Sequence, residues 1–186
     1  MNKIILASQS PRRKQLLEWA EIPFEVVIQD TDEHFPPGMA PAEVAIYIAR
    51  NKALAVQQRR NSGEIILAAD TLVVLGESII GKPVHREEAV SILLALSGEK
   101  HQVITGVVIR KGEKEVAFAD TTDVVFHDLS LEQIEFYVNK YKPYDKAGAY
   151  AIQEWIGVVG IKSVQGDFYN VMGLPVSRVV KELRQF

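Results

Sequence analysis

Ile4-Ile5-Leu6-Ala7-Ser8-Gln9-Ser10-Pro11-Arg12-Arg13-Lys14 reads as an apolar strand running into a helix start loaded with cations. Ser10 is a good N-cap and Pro11 suits the first helical position, so Arg12, Arg13 and Lys14 fall in the first turn. That end of a helix already carries partial positive charge, roughly half an elementary unit. Three cations there are unfavourable unless an anion sits among them. A strand, a short serine-containing loop and a helix start together make a phosphate cradle, and the stretch is read as one.

The same alternation continues outward. Phe24–Ile28 reads as a second strand, 29–40 as a loop and Pro41 to about Arg60 as a long helix. Glu64–Ala69 is a strongly apolar strand ending at Asp70, and Leu72–Leu75 with Ile79–Ile80 flank a hairpin turn at Gly76-Glu77-Ser78. A helix over 86–96 closes at Gly98, and two long strands, about 102–110 and 114–126, meet at Lys111-Gly112-Glu113. Ser130 and Gln133 form a capping-box pair that opens a helix over 131–140. A strand near 156–164 and a final helix from about Val176 complete the chain. Short strands alternating with helices predict an α/β protein with a sheet of mixed strand direction. No composition break marks a linker, so residues 1–186 are expected to be one domain with two lobes.

Composition narrows the function. A net charge of −3, from 21 basic and 24 acidic residues, argues against a surface that coats nucleic acid. The chain has no cysteine, which excludes disulfides and thiolate metal sites. It shows no signal-peptide h-region and no apolar window of membrane-spanning length, so a cytoplasmic enzyme or binding protein is expected.

Lys52 is the second informative residue. Its helical neighbours Ile48, Ala49, Ala55 and Val56 are all apolar, which puts an ammonium in the middle of a buried stripe. Burying that charge without a partner is costly; either the stem snorkels to water or the head serves a polar site. Asp70 closes an apolar strand, and ligands of open α/β sheets lie beyond the carboxyl ends of strands. Glu33 lies in the polar cluster Asp30-Thr31-Asp32-Glu33-His34, and Lys82 projects from the tight bend Gly81-Lys82-Pro83. In Lys146-Ala147-Gly148-Ala149-Tyr150-Ala151-Ile152-Gln153, small residues allow close approach to the backbone, and Gln153 carries the donors and acceptor needed to read a base edge. Gly173 and Pro175 read as a turn before the last helix. His34, His85, His101 and His127 lack metal-ligand spacing and read as surface residues.

Taken together these segments resemble the Maf family of nucleotide pyrophosphatases. The resemblance spans nearly the whole chain. It rests on Leu6-Ala7-Ser8-Gln9-Ser10-Pro11-Arg12-Arg13, Asp32-Glu33, Arg50-Asn51-Lys52-Ala53, Ala68-Ala69-Asp70-Thr71, Gly81-Lys82-Pro83, Ala147–Gln153 and Asn170-Val171-Met172-Gly173-Leu174-Pro175. It implies hydrolysis of nucleoside triphosphates to monophosphate and pyrophosphate with a divalent cation, magnesium or manganese. The implied fold is a curved mixed sheet in two lobes with flanking helices around a central cleft, similar to the inosine-triphosphate pyrophosphatases. Within the family, Asp70-Thr71 and Ile152-Gln153 resemble the branch acting on dTTP and UTP; the 7-methyl-GTP branch tends to carry Asp-Gln and Ser-Glu there. This chain departs from many relatives in having Glu154, not glycine, directly after Gln153.

The resemblance also implies roles. Arg12 and Arg13 would clamp phosphate oxygens with Ser8 adding a hydrogen bond, and Lys52 and Lys82 would set compact charges against the phosphate chain. Glu33 and Asp70 would hold the cation, with Asp70 first the base for the attacking water and Glu33 first the metal ligand. Thr71 and Gln153 would face the nucleoside. Two other readings stay open: a pyrophosphatase for other or modified nucleotides, and a nucleotide-binding regulator of cell division without catalysis. The family analogy allows a homodimer.

Overall fold

The opening strand and helix form as the sequence predicts. In a computed structural model that describes residues 3–60 and 63–186, β1 (Ile4–Leu6) is buried throughout and leads through Ala7–Ser10 into α1 (Pro11–Trp19). Ser10 caps α1 by accepting the Arg13 backbone N–H, and Pro11 begins the helix. The following elements are β2 (Phe24–Val26), α2 (Pro41–Arg60), β3 (Ile66–Leu75), β4 (Ser78–Ile80), α3 (Arg86–Leu96), β5 (Lys100–Lys111) and β6 (Lys114–Phe126). Next come α4 (Leu131–Tyr141), a 3₁₀ turn at Ala147–Ala149, α5 (Trp155–Gly160), β7 (Ile161–Gln165), α6 (Phe168–Met172) and α7 (Val176–Leu183).

Hydrogen bonding orders the strands β2-β1-β3-β5-β6-β7, with β4 on β3. β1 lies parallel to β2 and to β3, whereas β3–β4 and β6–β7 are antiparallel, which makes the sheet mixed. The chain divides into two compact units. The first holds Met1–Thr71, Thr105–Asp120 and Gly173–Phe186; the second holds Leu72–Ile104 and Thr121–Met172. Among the described residues, no helix is long and apolar enough to cross a membrane.

In the first unit α2 buries Val44, Ala45, Ile48, Ala49, Ala53 and Val56. Ala49, Ala53 and Val56 form a core with Ile5, Ala7, Ile66, Ala68 and Val108. The small residues of α2 match Gly106 on β5. A Cβ at Gly106 would lie 2.3 Å from the Ala45 carbonyl carbon and 2.4 Å from the Ile46 nitrogen, so the helix backbone rests directly on the strand. This contact sets the height of the helix that carries Lys52.

In the second unit α3 packs on α4, and Arg86 bridges them to Asn139 and Glu135 at 2.8 and 2.9 Å. The capping box of α4 forms as read: Ser130 accepts from Gln133 N–H, and the Gln133 side chain accepts from Ser130 N–H. Three expectations are corrected. β3 does not end at Asp70 but runs on to Leu75, since Asp70 and Thr71 find polar partners inside the fold and the strand has no reason to break. The apolar run from 156 is helical up to Gly160, with the strand following at Ile161–Gln165, because Gly157 and Val158 donate back to the Glu154 carbonyl.

His101 is the third correction, buried at 1% exposure and not a surface residue. Its ring packs edge-on against Phe126 and Tyr150, and Nε2 shares a 2.7 Å hydrogen bond with the Tyr150 hydroxyl. Nδ1 is buried with no hydrogen-bond partner among the described residues, so a charged ring would carry an N–H unmatched by them. Burial lowers the His101 pKa from 6.5 to about 4 and raises that of Tyr150. His85 is exposed as read, and it also caps α3 by accepting the Glu88 N–H.

Two outcomes follow from this packing. Gly106→Ala should lower the unfolding free energy by about 1–3 kcal/mol in urea titrations, because the added methyl must push α2 off β5. Stability should fall as pH drops from 6.5 towards 4. The unfolded chain binds a proton on His101 in that window and the folded chain does not, a linkage worth about 3 kcal/mol at most. His101→Gln should flatten that stretch of the urea-midpoint-against-pH curve.

Candidate active site

The first unit holds seven of the candidate site residues read from the sequence: Ser8, Arg12, Arg13, Glu33, Lys52, Asp70 and Thr71. Lys52 does not snorkel. Its Nζ lies 2.7 Å from Asp70 Oδ1 and 2.7 Å from Glu33 Oε1, so one ammonium is shared by two carboxylates. The Lys52 and Asp70 side chains are 18% and 11% exposed, while Glu33 is 50% exposed on its loop. α2 supplies the lysine from its core-facing stripe and β3 supplies the aspartate from its middle. Asp70 lies past the last β3 residue paired with β1, Leu67, and so stands beyond the carboxyl end of β1. The strand whose carboxyl end Asp70 marks is therefore β1 and not β3, and strand ends of this kind are where ligands of open α/β sheets gather.

Arg13 is buried and its guanidinium ties three segments together. Nε donates to the Gly173 carbonyl at 2.8 Å, Nη1 to Ser8 Oγ at 2.9 Å and Nη2 to Thr71 Oγ1 at 2.9 Å. Burial lowers its pKa to about 10, with the Arg12 charge acting in the same direction and Asp70 and Glu33 opposing. Arg13 therefore stays charged at neutral pH, with Asp70, Arg12 and Glu33 all acting on its charge. Three of its five N–H donors are engaged by protein acceptors, so it organises the loop after β1 as well as carrying charge. Arg12, beside it in the first turn, is half-buried.

Some participants were not foreseen. Thr105, buried on β5, lies 2.9 Å from Thr71 through their hydroxyls. A lone threonine inside the apolar run Val103–Ile109 was the available signal. Gly173, read as a plain turn, adopts φ +120° and presents the carbonyl that receives Arg13.

Lys82 and Gln153 belong to the second unit, and both are exposed. There the two motifs that carry them meet: Gly148 N–H donates to the Gly81 carbonyl at 3.1 Å. Gly148 needs its φ of +71°, and a Cβ on it would lie 2.8 Å from Val73 Cγ2.

A family model described as Maf-like protein matches residues 3–186. The chain belongs to the Maf-like family. It is 50% identical over 185 residues to the dTTP/UTP pyrophosphatase of Parabacteroides distasonis, covering 99% of this chain and 96% of that protein. It is 50% identical over 182 residues to the dTTP/UTP pyrophosphatase of Cytophaga hutchinsonii, covering 98% and 83%. With the one from Bacillus cereus strain G9842 it shares 47% over 186 residues, covering 100% and 96%. Among solved structures, the Ham1 protein of Staphylococcus aureus is similar over 99% of both chains, with a TM-score of 0.53 at 17% identity. That likeness establishes the α/β fold of this Maf-like chain, and sequence identity establishes the family.

Because Arg13 supports three otherwise separate acceptors, Arg13→Ala should cost about 3 kcal/mol of stability, far more than a surface arginine. Arg13→Lys should recover little of it, since one ammonium cannot span Ser8, Thr71 and Gly173. Urea midpoints of the two variants within 0.5 kcal/mol of the parent would contradict this role.

Proposed function

We propose that this Maf-like chain hydrolyses dTTP and UTP to the monophosphate and pyrophosphate, residues 1–186 acting as one domain. The observation that carries the reading is the carboxylate of Asp70 held by Lys52 within the electrostatic reach of Arg13. The names of relatives at 47–50% identity support the substrate class. A cytoplasmic setting, where nucleotide pools lie, accompanies it.

Cleavage of a phosphoanhydride needs little covalent chemistry from the protein; positioning and charge stabilisation dominate. Asp70 takes the proton of the attacking water, its carboxylate oriented by the Lys52 ammonium. Lys52 offers its charge to the phosphate chain as the departing pyrophosphate gains negative charge. Ser8, the α1 N-terminus and the Arg12–Arg13 pair bind phosphate oxygens, the arginines through planar donors suited to them. Thr71 lies beside Arg13 and faces the nucleoside in this reading. Lys82 and Gln153 carry the roles the family resemblance gives them, a phosphate charge and a base contact.

The donor set also fits a divalent cation. Glu33 and Asp70 each meet Lys52 through one carboxylate oxygen, Oε1 and Oδ1, and a carboxylate has a second oxygen with which it can serve a cation. Among the described residues no group of three or more His, Cys, Asp or Glu forms a metal cluster. Magnesium suits such a site, since it accepts one or two carboxylates and completes its shell with water and phosphate oxygens. Bound there, the cation would neutralise phosphate charge during cleavage.

The test is pyrophosphate release from dTTP, UTP, CTP, GTP and ATP by the purified chain, with and without magnesium. Release should favour dTTP and UTP and stop with EDTA. Asp70→Asn should keep the fold and lose turnover by about two to four orders of magnitude, as expected for a missing general base. Turnover near the parent rate at saturating magnesium and dTTP would remove Asp70 from the mechanism. Hydrolysis confined to purine or modified nucleotides would overturn the substrate assignment, and binding without hydrolysis would overturn the activity.

A further inference from the structure

Gln153 is exposed, yet the backbone beneath it is fixed from several sides. Tyr137 reaches it from α4 with the ring fully buried. The phenol oxygen accepts the Ala151 N–H at 3.2 Å, and its own hydrogen goes to Glu154 Oε2 in a short hydrogen bond. The other carboxylate oxygen, Oε1, lies 3.5 Å from the buried Lys146 Nζ. One carboxylate thus ties the start of the segment, Lys146, to its end. Glu154 N–H donates back to the Ala151 carbonyl at 3.1 Å. From the opposite side, the α5 backbone presses on the peptide that joins Ile152 to Gln153. A Cβ at Gly157 would fall 1.7 Å from the Ile152 carbonyl oxygen, so no side chain fits there.

An exposed glutamine needs no such support to stay solvated. Holding its backbone in one conformation costs conformational entropy for each residue fixed, and buried polar groups are committed to the task. Support of this kind has value where an amide must meet a partner at a set distance and direction. Uracil and thymine present a ring N–H flanked by two carbonyls, whereas cytosine presents a bare ring nitrogen beside an amino group. A side-chain amide can match either edge if its mount is loose, because it carries both donor and acceptor. A fixed backbone sets where the side chain starts, and so narrows the positions from which its amide can meet a base.

We propose that Tyr137 and Glu154 are positioning residues that hold Gln153 for discrimination between the bases of nucleotide substrates. The proposal rests on Gln153 as the base contact. Tyr137 and Glu154 act through the backbone on either side of that residue. Lys146 completes the arrangement by pairing with the same carboxylate.

The test compares UTP with CTP, two substrates of nearly equal size, in the purified full chain and in Tyr137→Phe, Glu154→Gln, Gln153→Ala and the Tyr137→Phe/Gln153→Ala double variant. The preference for UTP in kcat/KM should fall about tenfold in each single variant, the scale of one mispositioned hydrogen-bonding contact. The change should appear in KM for UTP more than in kcat, and inhibition by inorganic pyrophosphate should stay unchanged. The double variant should be no less selective than Gln153→Ala alone. Should Tyr137→Phe fail to fold, Glu154→Gln, which keeps the side-chain shape, decides the matter. If Gln153→Ala loses the preference while Tyr137→Phe and Glu154→Gln keep it, the positioning role is overturned and the base contact stands. If Gln153→Ala keeps the preference, the base contact itself fails and the proposal with it. Parallel losses on UTP and CTP would assign Tyr137 and Glu154 to stability alone.

Discussion

An ammonium placed on the core face of a long helix is the constraint to which the first unit answers. Lys52 follows Ala49 and precedes Ala53 and Val56 on the buried stripe of α2, so its charge needs compensation near at hand. Asp70, 11% exposed, supplies most of that compensation, because removing one partner of a buried pair typically costs about 3–5 kcal/mol. Glu33, half exposed, adds about 1 kcal/mol or less by the same reasoning, since solvent screens it. The difference divides labour between the acids. Asp70 is fixed by the strand and the lysine, whereas Glu33 lies on a loop without regular structure.

Around that pair, Arg13 performs a second piece of organisation. A guanidinium has a rigid fork of donors, and here the fork spans the loop after β1, the middle of β3 and the turn before α7. Its acceptors are neutral, so its charge is balanced through space by Asp70 and Glu33, with Arg12 opposing. The cationic helix start and the acidic pair are therefore one electrostatic system before any nucleotide arrives. A polyphosphate entering it would meet donors already oriented, which lowers the reorganisation required during cleavage.

Likeness to the Staphylococcus aureus Ham1 protein at only 17% identity shows how loosely the α/β frame constrains sequence. Apolar side chains of similar volume can be exchanged as long as strands and helices keep their hydrophobic faces. Polar residues inside the frame are less exchangeable, since each buried donor or acceptor needs a partner of the right kind. Thr105, Asn170 and His101 are of this type: Thr105 lies against Thr71, Asn170 donates to Val103 and Thr122, and His101 lies against Tyr150.

Local chemistry was enough to place most elements and much of the site. The cap at Ser10, the proline at the start of α1, the capping box of α4 and the glycine after α3 each act within one turn of chain, so their effect is written in adjacent residues. Lys52 stood out because a charge on an apolar stripe is visible from helical periodicity alone. Tertiary structure decided the rest. Asp70 and Thr71 looked like a strand end, since nothing nearby in sequence reveals that Lys52 and Arg13 would satisfy them in mid-strand. The run from Ile156 looked like strand, because an unbroken apolar run carries no periodicity to reveal that Gly157 and Val158 would donate back to the Glu154 carbonyl. His101 looked exposed, since its burial depends on Phe126 and Tyr150, residues far along the chain that only folding brings to it.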